Sequence, residues 1–301
     1  MTHCTGRSLP SHRLTIPLAA LVGGPVPALA KGMVGWRLGN WARPGRRVLA
    51  REVRRTLDGM LLVPFDFQAA YDALNPDDAD HRFYADLASR LSAQRAVDLG
   101  CGTGTLALLL ARGGRQVIGI DPDPEMLRVA RQRAGNELVT WQQGYANAMP
   151  AAWADLVTMS GHVSQVFTTD EQWREALRDV HRGLVPSGFL AFEMRNPGAR
   201  AWERWNREQT LRVVETDQGP VEFWHETTKV DLSLVTYATT DYNTRTGCSS
   251  TSLNTLAFRN ETSLRASLTD VGFAVLDMYG DWDRGHVRQV CPELIVVAQK
   301  V

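Results

Sequence analysis

The stretch "VDLGCGTG", Val97 to Gly104, sets three glycines at alternate positions directly behind an aspartate. A short apolar strand running into such a loop, with the helical run "TLALLLAR" after it, lets backbone come close to a ligand. The helix that follows adds unpaired N–H groups and partial positive charge at its start. Dinucleotide enzymes space this motif G-x-G-x-x-G and set a pyrophosphate on it. Here Gly100, Gly102 and Gly104 bring the third glycine one residue early. Asp98 is a second discriminator, because a carboxylate beside the loop repels a diphosphate and attracts a ligand carrying positive charge.

The same strand–helix unit repeats on both sides of this loop. "FDFQAAYDALNP" and "DDADHRFYADLASRL" carry apolar residues at helical spacing, and Asn75-Pro76 separates them. After "TLALLLAR", stopped by Gly113-Gly114, come strand "QVIGID", helix "PEMLRVARQRA", strands "LVTWQQG" and "ADLVTMS", helix "DEQWREALRDVHRGL" and strand "GFLAFEM". Thr169, with Gln172 three residues on, has the spacing of a capping box and fixes the start of that last helix. Such alternation predicts an α/β fold, a doubly wound, largely parallel sheet with helices on both faces. Between Pro197 and Asn260 the alternation stops. "TLRVVET", "VEFWHETTKVDLS", "VTYATTDY" and "SSTSLNTLAFR" are rich in Thr, Val and Tyr with near period-two patterning, so residues 198–260 read as an antiparallel β insertion forming part of a lid. Helix "TSLRASLTDVG" and strands "FAVLDMYGDW" and "ELIVVAQ" complete the sheet.

Composition sets wider bounds. A chain of 301 residues with 44% apolar content buries a substantial core. Its net charge of zero conceals an asymmetry: residues 1–59 hold ten basic residues against Glu52 and Asp58, while residues 60–301 hold 23 basic and 31 acidic. Residues 1–59 read as a flexible basic extension, with Met60 as the natural start of the folded body at 60–301. The alternatives are an export signal ending at Ala28-Leu29-Ala30 and a helical element over 46–58. The apolar run there is broken by Pro17, Gly23, Gly24, Pro25 and Pro27, which makes it too interrupted to span a bilayer. The cysteines Cys4, Cys101, Cys248 and Cys291 lie far apart with no C-x-x-C pair, which suits reduced thiols in a cytoplasm and predicts no structural metal. The oligomeric state is not legible.

S-adenosylmethionine, with an α-ammonium, a sulfonium and no phosphate, has the charge that Asp98 asks for. Asp121 closes the next strand, where an acid can accept both ribose hydroxyls. With these residues in view, the segment from about 65 to 197 resembles a class I S-adenosylmethionine-dependent methyltransferase, carrying the first motif of that family as "VDLGCGTG" and the second as "GIDPDPEML". The resemblance implies a Rossmann-like seven-stranded sheet whose last strand runs antiparallel. It also implies that Gly100, Cys101, Gly102 and Gly104 flank the methionine portion of the cofactor and that Asp98 meets its amino group directly or through water. Asp121, with Pro122, would hold the ribose. Met126 would lie against the adenine or else pack in the core. Where the family often has an acidic residue after the third strand, this chain reads Gly144-Tyr145-Ala146, so Tyr145 and Ala146 are expected to line the adenine pocket.

Substrate residues are expected at the carboxyl ends of the strands and in the insertion. "SGHVSQVF" offers Ser160, here grouped with the cofactor, together with His162 and Gln165. "FEMRNP" offers Glu193, Arg195 and Asn196, and the insertion offers Trp224, His225 and Arg259. Methyl transfer asks mainly for alignment and desolvation, and a base is needed only when the nucleophile arrives protonated. His162 and Glu193 are the catalytic candidates. Their alternatives are a histidine bonding a neighbouring loop and an ion pair of Glu193 with Arg195. Tyr71, Arg195, Asn196, Trp224 and Arg259 are the substrate candidates, with plain packing the alternative for Tyr71. The Asn/Asp-Pro-Pro-aromatic tetrad of base-amino methyltransferases is absent after the fourth strand, where the chain reads Ser160-Gly161-His162-Val163, and the body from Met60 carries charge −8. Both features disfavour nucleic acid and favour a small-molecule acceptor. Two other functions stay open on sequence: a nicotinamide-dinucleotide oxidoreductase, and a non-catalytic S-adenosylmethionine-binding module.

Overall fold

Asp98 lies in an interior strand of a seven-stranded sheet. The computed structural model describes residues 66–76 and 79–301; the readings of residues 1–59 as an extension, signal or helix fall outside them. Two helices, α1 (Phe67–Leu74) and α2 (Ala79–Arg90), precede β1 (Arg95–Leu99). Then follow α3 (Thr105–Arg112), β2 (Gln116–Asp121), α4 (Pro124–Ala130), β3 (Val139–Gln143), β4 (Ala154–Met159), α5 (Asp170–Gly183) and β5 (Leu184–Arg195). The insertion supplies β6 (Arg212–Thr216), β7 (Gly219–Asp231), β8 (Leu234–Asn243) and β9 (Ser249–Ala257), and α6 (Glu261–Val271), β10 (Phe273–Tyr279) and β11 (Glu293–Lys300) close the chain.

The large sheet runs in the order β10-β11-β5-β4-β1-β2-β3, and the order reverses at β1/β4. Strands β1 to β5 pair parallel, whereas β11 is antiparallel to both β10 and β5. The fold is therefore α/β with a doubly wound sheet whose last strand is reversed. Buried Val, Leu, Ile and Ala fill the central strands, as a sheet covered on both faces requires. Helix α4 stops at Ala130, short of the expected "RQRA", because a chain of turns and a left-handed Gly135 follow it. The capping box of α5 is present in full: Thr169 accepts from Gln172 N and Gln172 accepts from Thr169 N.

Residues 212–257 form a separate four-stranded antiparallel sheet, β6-β7-β8-β9. Its buried positions include Val221, Phe223, Val235, Thr239 and Asp241. Trp202, in a short 3-10 turn, and Trp205, directly after it, pack against Phe258 and Tyr237. Cys101, Cys248 and Cys291 are free thiols. Among the described residues no helix is long and apolar enough to cross a membrane, and no group of three His, Cys, Asp or Glu is placed to hold a metal ion.

Candidate functional site

The loop after β1 uses its glycines in two ways. All three adopt positive φ, +76° at Gly100, +53° at Gly102 and +84° at Gly104, a region that glycine enters at little cost. A Cβ added at Gly100 would stand 2.4 Å from Val163, and one at Gly104 would stand 2.4 Å from the Trp141 ring. These two are glycines because protein packs against them. At Gly102 a Cβ would meet nothing within 4 Å, so that backbone faces open space.

Asp121, at the end of β2, is aimed by this loop. Gly102 N donates to its Oδ2 at 2.8 Å and Asp123 N to its Oδ1 at 2.9 Å. Burial nevertheless pushes the carboxyl up to about 6, with these two amides opposing the rise. Asp98 is fully buried. Its Oδ1 accepts from Thr158 Oγ1 at 3.1 Å, while Oδ2 is sealed from solvent with no hydrogen-bond partner. Burial drives the Asp98 carboxyl up to about 7; Thr158 and the Ala107 backbone amide oppose the rise, and the nearby charges of Asp121 and Asp80 add to it. A buried carboxylate oxygen left unpaired is costly, and a ligand ammonium would satisfy it. The open backbone at Gly102, the orphaned oxygen of Asp98 and the oriented acid at Asp121 thus fit a ligand with an ammonium at one end and a ribose at the other.

Around this core, Met126 and Ala146 are buried and Tyr145 is half-buried against the main apolar cluster. Pro122 directs its carbonyl to Gln143 Nε2. Cys101 and Ser160 are buried beside the strand ends. Tyr71 projects from α1, and burial, with Tyr237 and Asp121 near it, pushes its hydroxyl up while Arg195 opposes the shift. Arg195 closes β5, bonded through Nη1 to Gln165 Oε1 at 3.0 Å and lying 5.5 Å from the Trp205 ring centroid. Tyr71, Tyr237, His225 and His162 all feel its charge, so β5, α1, the loop after β4 and the insertion converge on one guanidinium.

The two catalytic candidates have acquired partners that the sequence did not reveal. The Glu193 side chain is fully buried and accepts from the Tyr84 hydroxyl and from His162 N. Burial pushes it up to about 8. No ion pair joins it to Arg195 among the described residues. His162 has a left-handed backbone, φ +62°, and its Nε2 lies 3.1 Å from both carboxylate oxygens of Glu293.

Three substrate candidates have protein partners of their own. Arg259 is buried, and its Nη2 donates to the carbonyls of Phe167 at 2.8 Å and Thr169 at 3.1 Å while its Nε pairs with Asp170. It secures the approach to α5. Asn196 accepts from Gly198 N and donates to the carbonyls of Arg288 and Gln289, tying two loops together. Trp224 bonds Glu226 and lies under Arg207, on the opposite face of β7 from His225, because neighbouring strand residues point opposite ways. His225 faces inward, with Nδ1 2.9 Å from Thr239 Oγ1 and its ring against Phe223 and Tyr237. Burial, with Arg212 and Arg195 nearby, holds it down at about 4. Sequence reasoning missed Tyr84, Tyr237 and Glu293. Glu293 left one trace, an acid opening an otherwise apolar strand.

A reversed last strand on a doubly wound sheet, with a glycine loop after β1 and an acid after β2, defines the class I S-adenosylmethionine-dependent methyltransferases. A family model described as a methyltransferase domain matches residues 96–188. The ubiquinone/menaquinone biosynthesis C-methyltransferase of Rubrivivax gelatinosus is 38% identical over 124 residues, 40% of this chain and 46% of that protein. The trans-aconitate 2-methyltransferase of an Azoarcus species is 37% identical over 128 residues, 38% of this chain and 47% of that protein. The chain thus spans about half the length of these curated relatives. Among solved structures, the CcbJ methyltransferase of Streptomyces caelestis superposes with a TM-score of 0.65 at 17% identity, covering 80% of this chain and 100% of that one. The amino pentose methyltransferase CalS10 of Micromonospora echinaspora, solved with S-adenosylmethionine bound, has a TM-score of 0.60 at 21% identity, covering 80% and 99%. At such identities the structures speak for the fold alone. Residues 96–188 thus match a methyltransferase domain, and the sheet around them has the fold of these methyltransferases.

Proposed function

We propose that this chain transfers a methyl group from S-adenosylmethionine to a small-molecule acceptor by in-line displacement. The observation that carries the reading is the buried, unpartnered Oδ2 of Asp98 in the strand that runs into the glycine loop, whose backbone at Gly102 faces open space. A phosphate there would meet a carboxylate, whereas an ammonium completes it. In this reading Asp98 and the Gly100–Gly104 loop, with Cys101, hold the methionine portion, and Asp121 with Pro122 holds the ribose. Met126, Tyr145 and Ala146 border the adenine, and Ser160 lines the cofactor side of the strand ends.

When bound, the cofactor supplies a methyl carbon made electrophilic by its sulfonium, and sulfur keeps the electron pair as the acceptor's lone pair bonds that carbon. What the protein adds is alignment and exclusion of water, worth several kcal/mol in reactions of this type. Tyr71, Arg195 and the inner face of the insertion would form the acceptor pocket, with the insertion as part of its lid. Arg195 pairs with no carboxylate among the described residues and has a neutral partner in Gln165. That favours an acceptor bearing an anionic or strongly accepting group. The charge of −8 on residues 60–301 opposes a nucleic-acid acceptor, and the widely spaced cysteines suit a cytoplasmic enzyme.

The test is release of S-adenosylhomocysteine by the full chain from S-adenosylmethionine over a panel of small hydroxyl, amine and carboxylate compounds. Turnover dependent on one class of acceptor is expected. Calorimetric binding of NAD in place of S-adenosylmethionine would overturn the reading.

A further inference from the structure

We propose that Glu293, at the head of the last strand, forms with His162 a positioned dyad in which the carboxylate holds Nε2–H and leaves Nδ1 to take the acceptor's proton. The inference rests on the methyl-transfer reading and deepens it, because it defines an acceptor whose nucleophilic O–H or N–H arrives protonated.

The geometry starts with Nε2, 3.1 Å from both oxygens of Glu293. An ionised carboxylate only accepts, so Nε2 carries the hydrogen. Burial and the Arg195 charge press His162 towards its neutral form, against Glu293 and Asp80. The neutral ring with a hydrogen on Nε2 has its lone pair on Nδ1. Nδ1 has no hydrogen-bond partner among the described residues, and the side chain is part-exposed, not sealed from solvent.

The backbone beneath the ring is fixed by a second carboxylate. His162 holds a left-handed conformation, which is strained for a non-glycine residue by about 1 kcal/mol or more. Its N–H donates to Glu193, whose other oxygen accepts from Tyr84, and Ser164 bonds the Glu193 carbonyl. Adjacent strands thus divide the work: β5 secures the main chain through Glu193 and β11 aims the ring through Glu293, which lies opposite Arg195 in the register. The charged and titratable groups facing His162 are Arg195 and Glu193 from β5, Glu293 from β11 and Asp80 from α2. The residue stands two positions past Ser160, at the carboxyl edge where doubly wound sheets bind ligands.

In the step assigned to the dyad, the acceptor's O–H or N–H bond breaks and its electron pair stays on the atom that takes the methyl. The proton passes to Nδ1. The imidazolium so formed is offset by the negative charge of Glu293, and the proton later leaves to solvent. Glu293 touches neither acceptor nor cofactor in this scheme, so it is a positioning residue.

The tautomer can be read without an acceptor, by long-range proton–nitrogen NMR of the full chain labelled at histidine, with His162→Asn assigning the signal. A hydrogen on Nε2 and a bare Nδ1 are expected at neutral pH, and Glu293→Gln should lower the His162 pKa by about one unit. With an acceptor in hand, the acid limb of the kcat profile should fall by the same amount in Glu293→Gln at unchanged cofactor affinity. His162→Asn should cost about 100-fold or more in kcat. A wild-type ring protonated on Nδ1 alone, or a His162 pKa that Glu293→Gln leaves in place, overturns the dyad. Absence of turnover with every acceptor strikes the methyl-transfer reading instead, and the NMR titration still judges the dyad.

Discussion

Asp98 keeps a carboxylate where water cannot reach it, with one oxygen on Thr158 and the other unpaired. Burial pushes it up to about 7, so its neutral form is populated near neutral pH in the free protein. A cationic ligand binds the ionised form, so affinity for S-adenosylmethionine is expected to rise with pH up to about 7 and to level off above it. Below that point the slope approaches tenfold per unit, since one proton must leave on binding. Asp98→Asn should flatten the profile between pH 6.5 and 8, above the value of about 6 to which burial pushes Asp121, and weaken binding at pH 8; calorimetry from pH 6.5 to 8.5 would show both. A wild-type profile flat across that range would remove the contact. Asp121 makes a different demand, because Gly102 N and Asp123 N already orient both its oxygens. Asp121→Ala should lower cofactor affinity by about 10- to 100-fold, the range for hydrogen bonds to a charged group, with an unchanged far-UV spectrum. An unaltered dissociation constant would withdraw the ribose assignment.

Helix α1 is joined to four other parts of the chain. Asp66 pairs with Arg128 of α4 at 2.6 Å and its backbone N–H donates to Gln218 in the β6–β7 turn, while Asp72 takes Thr103 of the glycine loop at 2.6 Å and pairs with Arg133. Exposed pairs of this kind contribute little to global stability, about 0 to 1 kcal/mol each, yet they decide how often a short helix lifts from its neighbours. Asp72→Ala is expected to raise hydrogen exchange over residues 67–74 and to speed cofactor dissociation several-fold, with Tm moving by only a few degrees. Exchange as slow as in the wild type would show that α1 is held by its apolar face alone. At this scale the sequence was informative where the signal is local. Glycine spacing, the Thr169/Gln172 cap and the change from period 3.6 to period 2 after Pro197 each depend on a handful of consecutive residues. It was silent where tertiary register decides. Arg259, Asn196 and Trp224 have the right chemistry for a pocket, but whether a strand-end residue faces ligand, loop or solvent is set by which strand lies beside it. Tyr84 and Glu293 reach the site from elements 109 and 131 residues distant in sequence from their partners Glu193 and His162, a juxtaposition that no periodicity encodes.

The whole molecule gathers buried acids at the carboxyl edge of its sheet, and their titration governs stability as well as binding. Glu193 and Asp98 are pushed by burial to about 8 and about 7, from ordinary values of 4.5 and 3.8. An acid with a raised folded-state pKa favours the folded protein most below its unfolded value, and that advantage is lost as pH climbs through the folded one. His225 acts with the opposite sign. Held at about 4 against an ordinary 6.5, it costs stability as pH falls between those values. The two effects oppose each other below pH 6.5, so the acids stand clear only above it. Between pH 6.5 and 8 the ligand-free protein should lose stability at about 1.4 kcal/mol per pH unit for each acid still titrating. Above about 7 that acid is Glu193. Glu193→Gln copies the protonated side chain: its carbonyl accepts from His162 N and its amide donates to the Tyr84 oxygen. The variant should therefore keep Tm nearly level from pH 7 to 8, where the wild type drops by a few degrees, and scanning calorimetry of the two proteins across that unit measures the difference. Parallel curves would mean that Glu193 is already ionised at neutral pH, held as an anion by Tyr84 and the His162 amide in spite of its burial.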